Sequence, residues 1–88
     1  MTIGMILLVL VVEDDDTLNK MICANLKQDK FQVQTAFDGE HALEIMDQYH
    51  IDLIICDIMK PRMNGYEFVE LIRKAKYTLP ILMITAKE

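Results

Sequence analysis

Hydrophobic positions along the chain fall into two patterns that alternate. Residues 5–12 form an unbroken apolar run, Met-Ile-Leu-Leu-Val-Leu-Val-Val, and Leu53-Ile54-Ile55-Cys56 forms a second. Runs this short and rich in Val, Ile and Leu predict strands buried on both faces, as in a parallel sheet. Phe31, Val33 and Thr35 alternate with Gln32 and Gln34, which predicts a more exposed strand. Residues 81–85 predict a fourth strand after Pro80.

Between the strands the spacing changes to that of helices. Asp15 or Asp16 caps a first helix whose apolar face is Leu18, Met21, Ile22 and Leu26, with Asn19, Lys20 and Lys27 largely off it. After the Asp38-Gly39 turn signal, Ala42, Leu43 and Met46 mark a second helix ending near Tyr49. Pro61 blocks an early start to the third. Asn64 then caps it with Glu67 as capping-box partner, and Phe68, Leu71 and Ile72 form its stripe. The order β-α-β-α-β-α-β predicts an α/β fold, a parallel sheet built from right-handed βαβ units.

Composition narrows the function. The chain has 88 residues, enough for one small domain spanning 1–88. Its net charge is −5 and it has no Trp, so neither a basic stripe nor a stacking platform for nucleic acid is present. The opening apolar run of eight residues is far below the roughly 20 needed to span a bilayer. No basic residue precedes it and no small-residue cleavage site follows it, so no membrane association and a cytoplasmic location are expected. Cys23 and Cys56 lie 33 residues apart without a CxxC and read as buried apolar thiols.

In parallel α/β sheets, ligands bind beyond the C-terminal ends of the strands. The first strand ends in Glu13, Asp14, Asp15 and Asp16, the third in Asp57 and the fourth at Thr85. Clustered carboxylates repel one another unless protonated or bridged by a cation. An all-oxygen site with few protein ligands suits Mg²⁺ or Mn²⁺. The acidic turn has no Gly and no base, so it would repel a phosphate unless a metal lay between. A metal beside an aspartate favours attack of that aspartate on a phosphoryl group, and Asp57, alone at the end of a central strand, is the best nucleophile. Each residue also has a plainer reading. Asp57 as a turn cap, Glu13 and Asp14 as acids favouring a helix N-terminus, and Thr85 as an ordinary strand-end residue all remain open here.

Val-Val-Glu-Asp-Asp, Ile-Ile-Cys-Asp-Ile-Met-Lys-Pro-Arg-Met-Asn-Gly and Pro-Ile-Leu-Met-Ile-Thr-Ala-Lys closely resemble the receiver domains of two-component response regulators. The separations are 43 residues from Asp14 to Asp57 and 28 from Asp57 to Thr85. The resemblance implies a flavodoxin-like fold. It implies that Asp57 accepts a phosphoryl group from a phosphohistidine on a sensor histidine kinase. It implies that Glu13, Asp14, Asp57 and the backbone carbonyl of Met59 hold Mg²⁺ (or Mn²⁺). Thr85 would bond the phosphoryl oxygen and draw its loop inward, Ala86 would leave room for that movement, and Pro61 and Gly65 would shape the loop after Asp57. The wording around Asp57 is similar to regulators with winged-helix outputs, so DNA would be reached only through an output domain not present in these residues. Any catalysis is at most self-phosphorylation and dephosphorylation of Asp57.

Receiver domains have five strands in the order 2-1-3-4-5 and five helices. The expectation for residues 1–88 is a truncated receiver of about four strands and three helices, order 2-1-3-4. It would lack the lysine after the fifth strand that pairs with the phosphoryl group, a role Lys87 does not take. Stable phosphorylation is then expected to be poor. An open fourth-strand edge, or the sheet face uncovered by a missing fifth helix, is expected to drive homo-oligomer formation. The alternative function is thus a phosphorylation-incompetent fragment acting as a self-association module. An aspartyl-phosphate phosphatase of haloacid-dehalogenase type would need a second acid two residues after the nucleophile, where this chain has Met59.

Overall fold

The computed structural model describes residues 6–57 and 64–84. Seven elements alternate: β1 (Leu8–Val12), α1 (Asp16–Gln28), β2 (Gln32–Ala36), α2 (Gly39–Gln48), β3 (Leu53–Asp57), α3 (Gly65–Lys74) and β4 (Ile81–Ile84). The strands form one parallel sheet in the order β2-β1-β3-β4, as expected.

Period-2 geometry sends alternate residues of β1 and β3 to opposite faces. Leu10, Val12, Ile54 and Cys56 meet Ala42 and Met46 of α2 and Phe68 and Ile72 of α3. Val9, Val11 and Ile55 meet Cys23 of α1, with Ile22 and Leu26 partly buried around them. This two-sided burial explains why the β1 and β3 runs show no polar alternation. α2 and α3 also approach closely. A Cβ on Gly39 would lie 2.9 Å from Cδ2 of Leu71 and 3.4 Å from Cδ1 of Phe68.

Caps form as expected at Asn64 and, of the two candidates Asp15 and Asp16, at Asp15, and Asp38 of the expected turn is a third. Asp15 Oδ1 accepts from the Leu18 N–H at 3.0 Å, Asp38 Oδ1 from His41 at 2.8 Å and Asn64 Oδ1 from Tyr66 at 2.8 Å. The helix ends were not foreseen. α1 and α3 both close with a lysine in the left-handed region, Lys30 and Lys76, each at φ 70°. After α1, the N–H groups of Lys30 and Phe31 donate to the carbonyls of Lys27 and Leu26 at 3.0 Å each. After α3, those of Lys76 and Tyr77 donate to Arg73 and Ile72 at 2.9 and 3.3 Å. Both are Schellman motifs, with Phe31 and Tyr77 folding back onto the apolar side of their own helix.

Several boundaries and faces differ from expectation. β1 begins at Leu8, because its partners begin at Gln32 and Leu53. Ile6 is exposed, and Met5 lies outside the described residues. β3 runs one residue further, to Asp57, which pairs with Ile84. On α1, Met21 is 58% exposed and Asn19 is buried. The covered stripe is Asn19, Ile22, Cys23 and Leu26, at i, i+3, i+4 and i+7, rotated from the predicted one. On α3, Leu71 lies at the margin of the stripe and is 36% exposed. Pro61 lies outside the described residues.

Candidate functional site

β1 and β3 are adjacent and parallel, with Val12 opposite Cys56. The next residue of each strand is therefore a carboxylate, Glu13 on one and Asp57 on the other. Glu13 is 1% exposed and Asp57 3% exposed. Burial of two carboxylates side by side is unfavourable, and sheet pairing imposes it here. Asp14 projects from the same turn and is exposed.

Several bonds fix the acidic turn. The Glu13 N–H donates to the Ala36 carbonyl at 3.0 Å, tying the turn to the end of β2. Glu13 Oε2 accepts from the Asp15 N–H at 2.9 Å. The Glu13 carbonyl accepts from Nδ2 of Asn19 at 3.0 Å, and Asn19 Oδ1 accepts from the Cys23 thiol at 3.3 Å. Burial pushes the Cys23 thiol above its ordinary pKa, against a smaller opposing pull from the Lys27 charge. Asp15 caps α1, and Asp16 pairs with Lys20 at 3.0 Å on the exposed helix surface. The division of labour expected within the four-acid run thus holds for Asp15 and Asp16.

Thr85 and Met59 lie outside the described residues, as do Ala86 and Lys87. Gly65 is buried at the first turn of α3. Among the described residues, no three His, Cys, Asp or Glu side chains form a ready-made metal cage. The donor set nonetheless suits Mg²⁺, which keeps several waters and takes only one or two carboxylates plus phosphate oxygens. Glu13, Asp57 and the accessible Asp14 supply hard oxygens at one sheet edge and no nitrogen or sulfur ligand.

Two residues with structural work were missed from the sequence. Asn19 was placed off the apolar face. Its signal was a polar residue at the first position of an i, i+3, i+4, i+7 stripe. Asp52, at the opposite end of β3, accepts from the Leu8 N–H at 2.9 Å and stands 3.6 Å from the exposed His50. It had no signal beyond its place just before a strand.

Comparisons with known proteins agree with this geometry. The family model for the response regulator receiver domain matches residues 9–88. The alkaline phosphatase synthesis transcriptional regulatory protein PhoP of Bacillus subtilis is 39% identical over 80 residues, covering 91% of this chain and 33% of the relative. The chemotaxis response regulator CheY4 of Vibrio cholerae superposes with a TM-score of 0.79 at 36% identity, over 94% of this chain and 71% of that one. The Thermotoga maritima response regulator TrrA, solved in complex with Mg²⁺-BeF, gives 0.81 at 31% identity, over 94% and 72%. The chain spans about a third or less of the length of the curated relatives it matches. No described helix is long and apolar enough to cross a membrane. With the sheet order, the paired strand-end carboxylates and the matched motifs in agreement, the chain belongs to the receiver domains of two-component response regulators.

Proposed function

We propose that Asp57 is the phosphoacceptor of this receiver and that residues 1–88 act as one receiver unit. The carrying observation is the register of β1 and β3, which sets the buried Asp57 beside the end of the strand that delivers Glu13 and Asp14. A carboxylate oxygen of Asp57 attacks phosphorus on a phosphohistidine of a sensor histidine kinase. The P–O bond forms as the P–N bond breaks, and the departing imidazole takes up a proton. Glu13, Asp14, Asp57 and the Met59 carbonyl would hold Mg²⁺ (or Mn²⁺), which when bound offsets the charge of the incoming phosphoryl group. Thr85 would bond a phosphoryl oxygen. The phosphorylated unit would switch a DNA-binding output domain, in the cytoplasm.

The test uses beryllofluoride as the phosphoryl mimic. With Mg²⁺ it shifts the backbone amide resonances of Glu13, Asp14 and Asp57 in the wild type and leaves Asp57→Asn unmoved. Absence of wild-type shifts, or equal shifts in the variant, sinks the assignment.

A second reading, self-association of the 88-residue polypeptide, has its own observation. β4 pairs only with β3 among the described strands, and it leaves Leu82 51% exposed beside an exposed Met83. Such an edge is a template for pairing with another copy. Sedimentation at rising concentration is expected to show dimers or larger species, and Leu82→Lys to shift them towards monomer. A wild type that stays monomeric throughout removes this reading.

A further inference from the structure

We infer that Asn19 is a positioning residue for the cation site, acting through the backbone of Glu13. The inference rests on the cation reading above and extends it to α1, which contributes none of the proposed ligands.

A buried amide must satisfy both its donor and its acceptor, because either one left bare is destabilising. Asn19 is 5% exposed and spends its two ends on two elements. Nδ2 donates to the Glu13 carbonyl at 3.0 Å, and Oδ1 accepts from the Cys23 Sγ at 3.3 Å. The Glu13 carbonyl, which can only accept, fixes which end of the amide faces it, and the Cys23 thiol donates to the other end. Asn19 is also rigidly based. Its own N–H donates to the Asp15 carbonyl at 2.9 Å, in the first turn of α1.

The consequence falls on the acidic turn. The Glu13 N–H is held by Ala36 and its carbonyl by Asn19, so the peptide units on both sides of Glu13 are fixed. The unit held by Asn19 is the one that joins Glu13 to Asp14. Its orientation sets where the Asp14 carboxylate stands relative to Glu13 and Asp57. Without that bond the mutually repelling Glu13 and Asp14 carboxylates would splay, and a cation would have to gather them on binding. Outer groups that orient metal ligands in this way typically carry about 10–100-fold in affinity. By linkage, a cation that profits from the Asn19–Glu13 bond must also tighten it.

Mn²⁺ is the probe, with free Mn²⁺ read by electron paramagnetic resonance. Wild type, Asn19→Leu, Cys23→Val and Ile72→Val are compared in buffer where circular dichroism shows each folded. Leu keeps the branched outline of Asn, with bulkier ends, and removes both bonds. Ile72→Val trims the opposite face and controls for lost stability. Asn19→Leu is expected to weaken Mn²⁺ binding about tenfold, Cys23→Val roughly twofold, and Ile72→Val not at all. An Asn19→Leu affinity within twofold of wild type overturns the inference while leaving the cation reading intact. A wild type that binds no Mn²⁺ overturns both. A measurement on the wild type alone decides the matter if Asn19→Leu does not fold. Hydrogen exchange of the Asn19 side-chain amide is expected to slow with the same midpoint as Mg²⁺ binding. Exchange unchanged at saturating Mg²⁺ overturns the inference.

Discussion

The two faces of the sheet are built from the same strands and do different work. The face under α2 and α3 is apolar throughout: Leu10, Val12, Ile54 and Cys56 pack on Ala42, Met46, Phe68 and Ile72. The face under α1 is smaller, and its central contact is polar. Cys23 lies against Val9, Val11 and Ile55 and donates to Asn19, which reaches up to the carbonyl of Glu13. One face thus carries most of the cohesion, and the other carries the link to the acidic turn. A fold so divided can tune its site through α1 without disturbing the larger core.

Neighbouring residues of β3 give the sharpest way to break this division. Ile54 is fully buried under α2 and α3, and Ile55 is 7% exposed under α1. Ile54→Ala leaves a cavity walled by well-packed side chains and is expected to cost about 3–5 kcal/mol. That is a large share of the roughly 5–10 kcal/mol expected for a domain of this size. Ile55→Ala faces the partly exposed Ile22 and Leu26, which can settle inward, and is expected to cost about 2–3 kcal/mol. Urea unfolding followed by circular dichroism measures both. Equal losses, or a larger one for Ile55→Ala, would show that the faces share the load evenly.

The helix starts offer a smaller contrast. Asp38 caps α2 and Asp15 caps α1, and removal of a cap typically costs about 1 kcal/mol. Asp38→Ala is expected to lose that amount. Asp15 stands in a run of four acids, so Asp15→Ala loses the cap bond and also relieves repulsion with Glu13, Asp14 and Asp16. Its expected cost is about half as large, and the gap should close at high salt, which screens the repulsion. Thermal unfolding at low and high ionic strength reads both. Identical costs for the two variants at low salt would remove charge crowding from the account of the turn.

Much of this was legible in the sequence because burial leaves a periodic trace. The seven elements, their order, the caps at Asn64 and at one of Asp15 and Asp16, and the strand-end placement of Glu13 and Asp57 all follow from spacing, whereas Asp38 reads from the sequence as a turn and not as a cap. Family resemblance supplied the strand order and the roles. The rotation of the α1 stripe was hidden because Asn19 is polar and Met21 apolar, and tertiary bonding overrode both preferences. Lys30 and Lys76 gave no sign of left-handed backbone. Schellman closures usually employ Gly, and here the folded-back Phe31 and Tyr77 hold a lysine in place instead.

Those two lysines test whether the faces differ at their helix ends as well. A non-glycine residue in the left-handed region costs about 1–2 kcal/mol, and glycine in the unfolded chain gives back about 0.5–1. Lys30→Gly and Lys76→Gly are therefore each expected to stabilise the chain by about 0.5 kcal/mol, read as a higher urea midpoint. Similar gains would place the asymmetry in the cores alone. A loss at either site would mean that the lysine side chain contributes more than its backbone geometry costs.

Titration of Cys23 gives the smallest expected effect, confined to alkaline solution, and it bears on the polar face only. Burial raises the thiol pKa in the folded chain, with the Lys27 charge opposing. In the unfolded chain the thiol ionises at its ordinary value. Above that value the unfolded state has released a proton that the folded state still holds, so stability falls as pH rises through the window between the two pKa values. Below the ordinary value both states are protonated and no contribution remains. Unfolding measured from neutral to alkaline pH should therefore show a downward slope that is shallower in Cys23→Ala, whatever the offset caused by the lost packing. The thiolate would also take away the proton shared with Asn19 Oδ1, so the same alkaline window should loosen the amide that faces Glu13. A wild type and variant with parallel slopes would detach Cys23 from the energetics of the α1 face and leave Asn19 to hold the Glu13 carbonyl without its help.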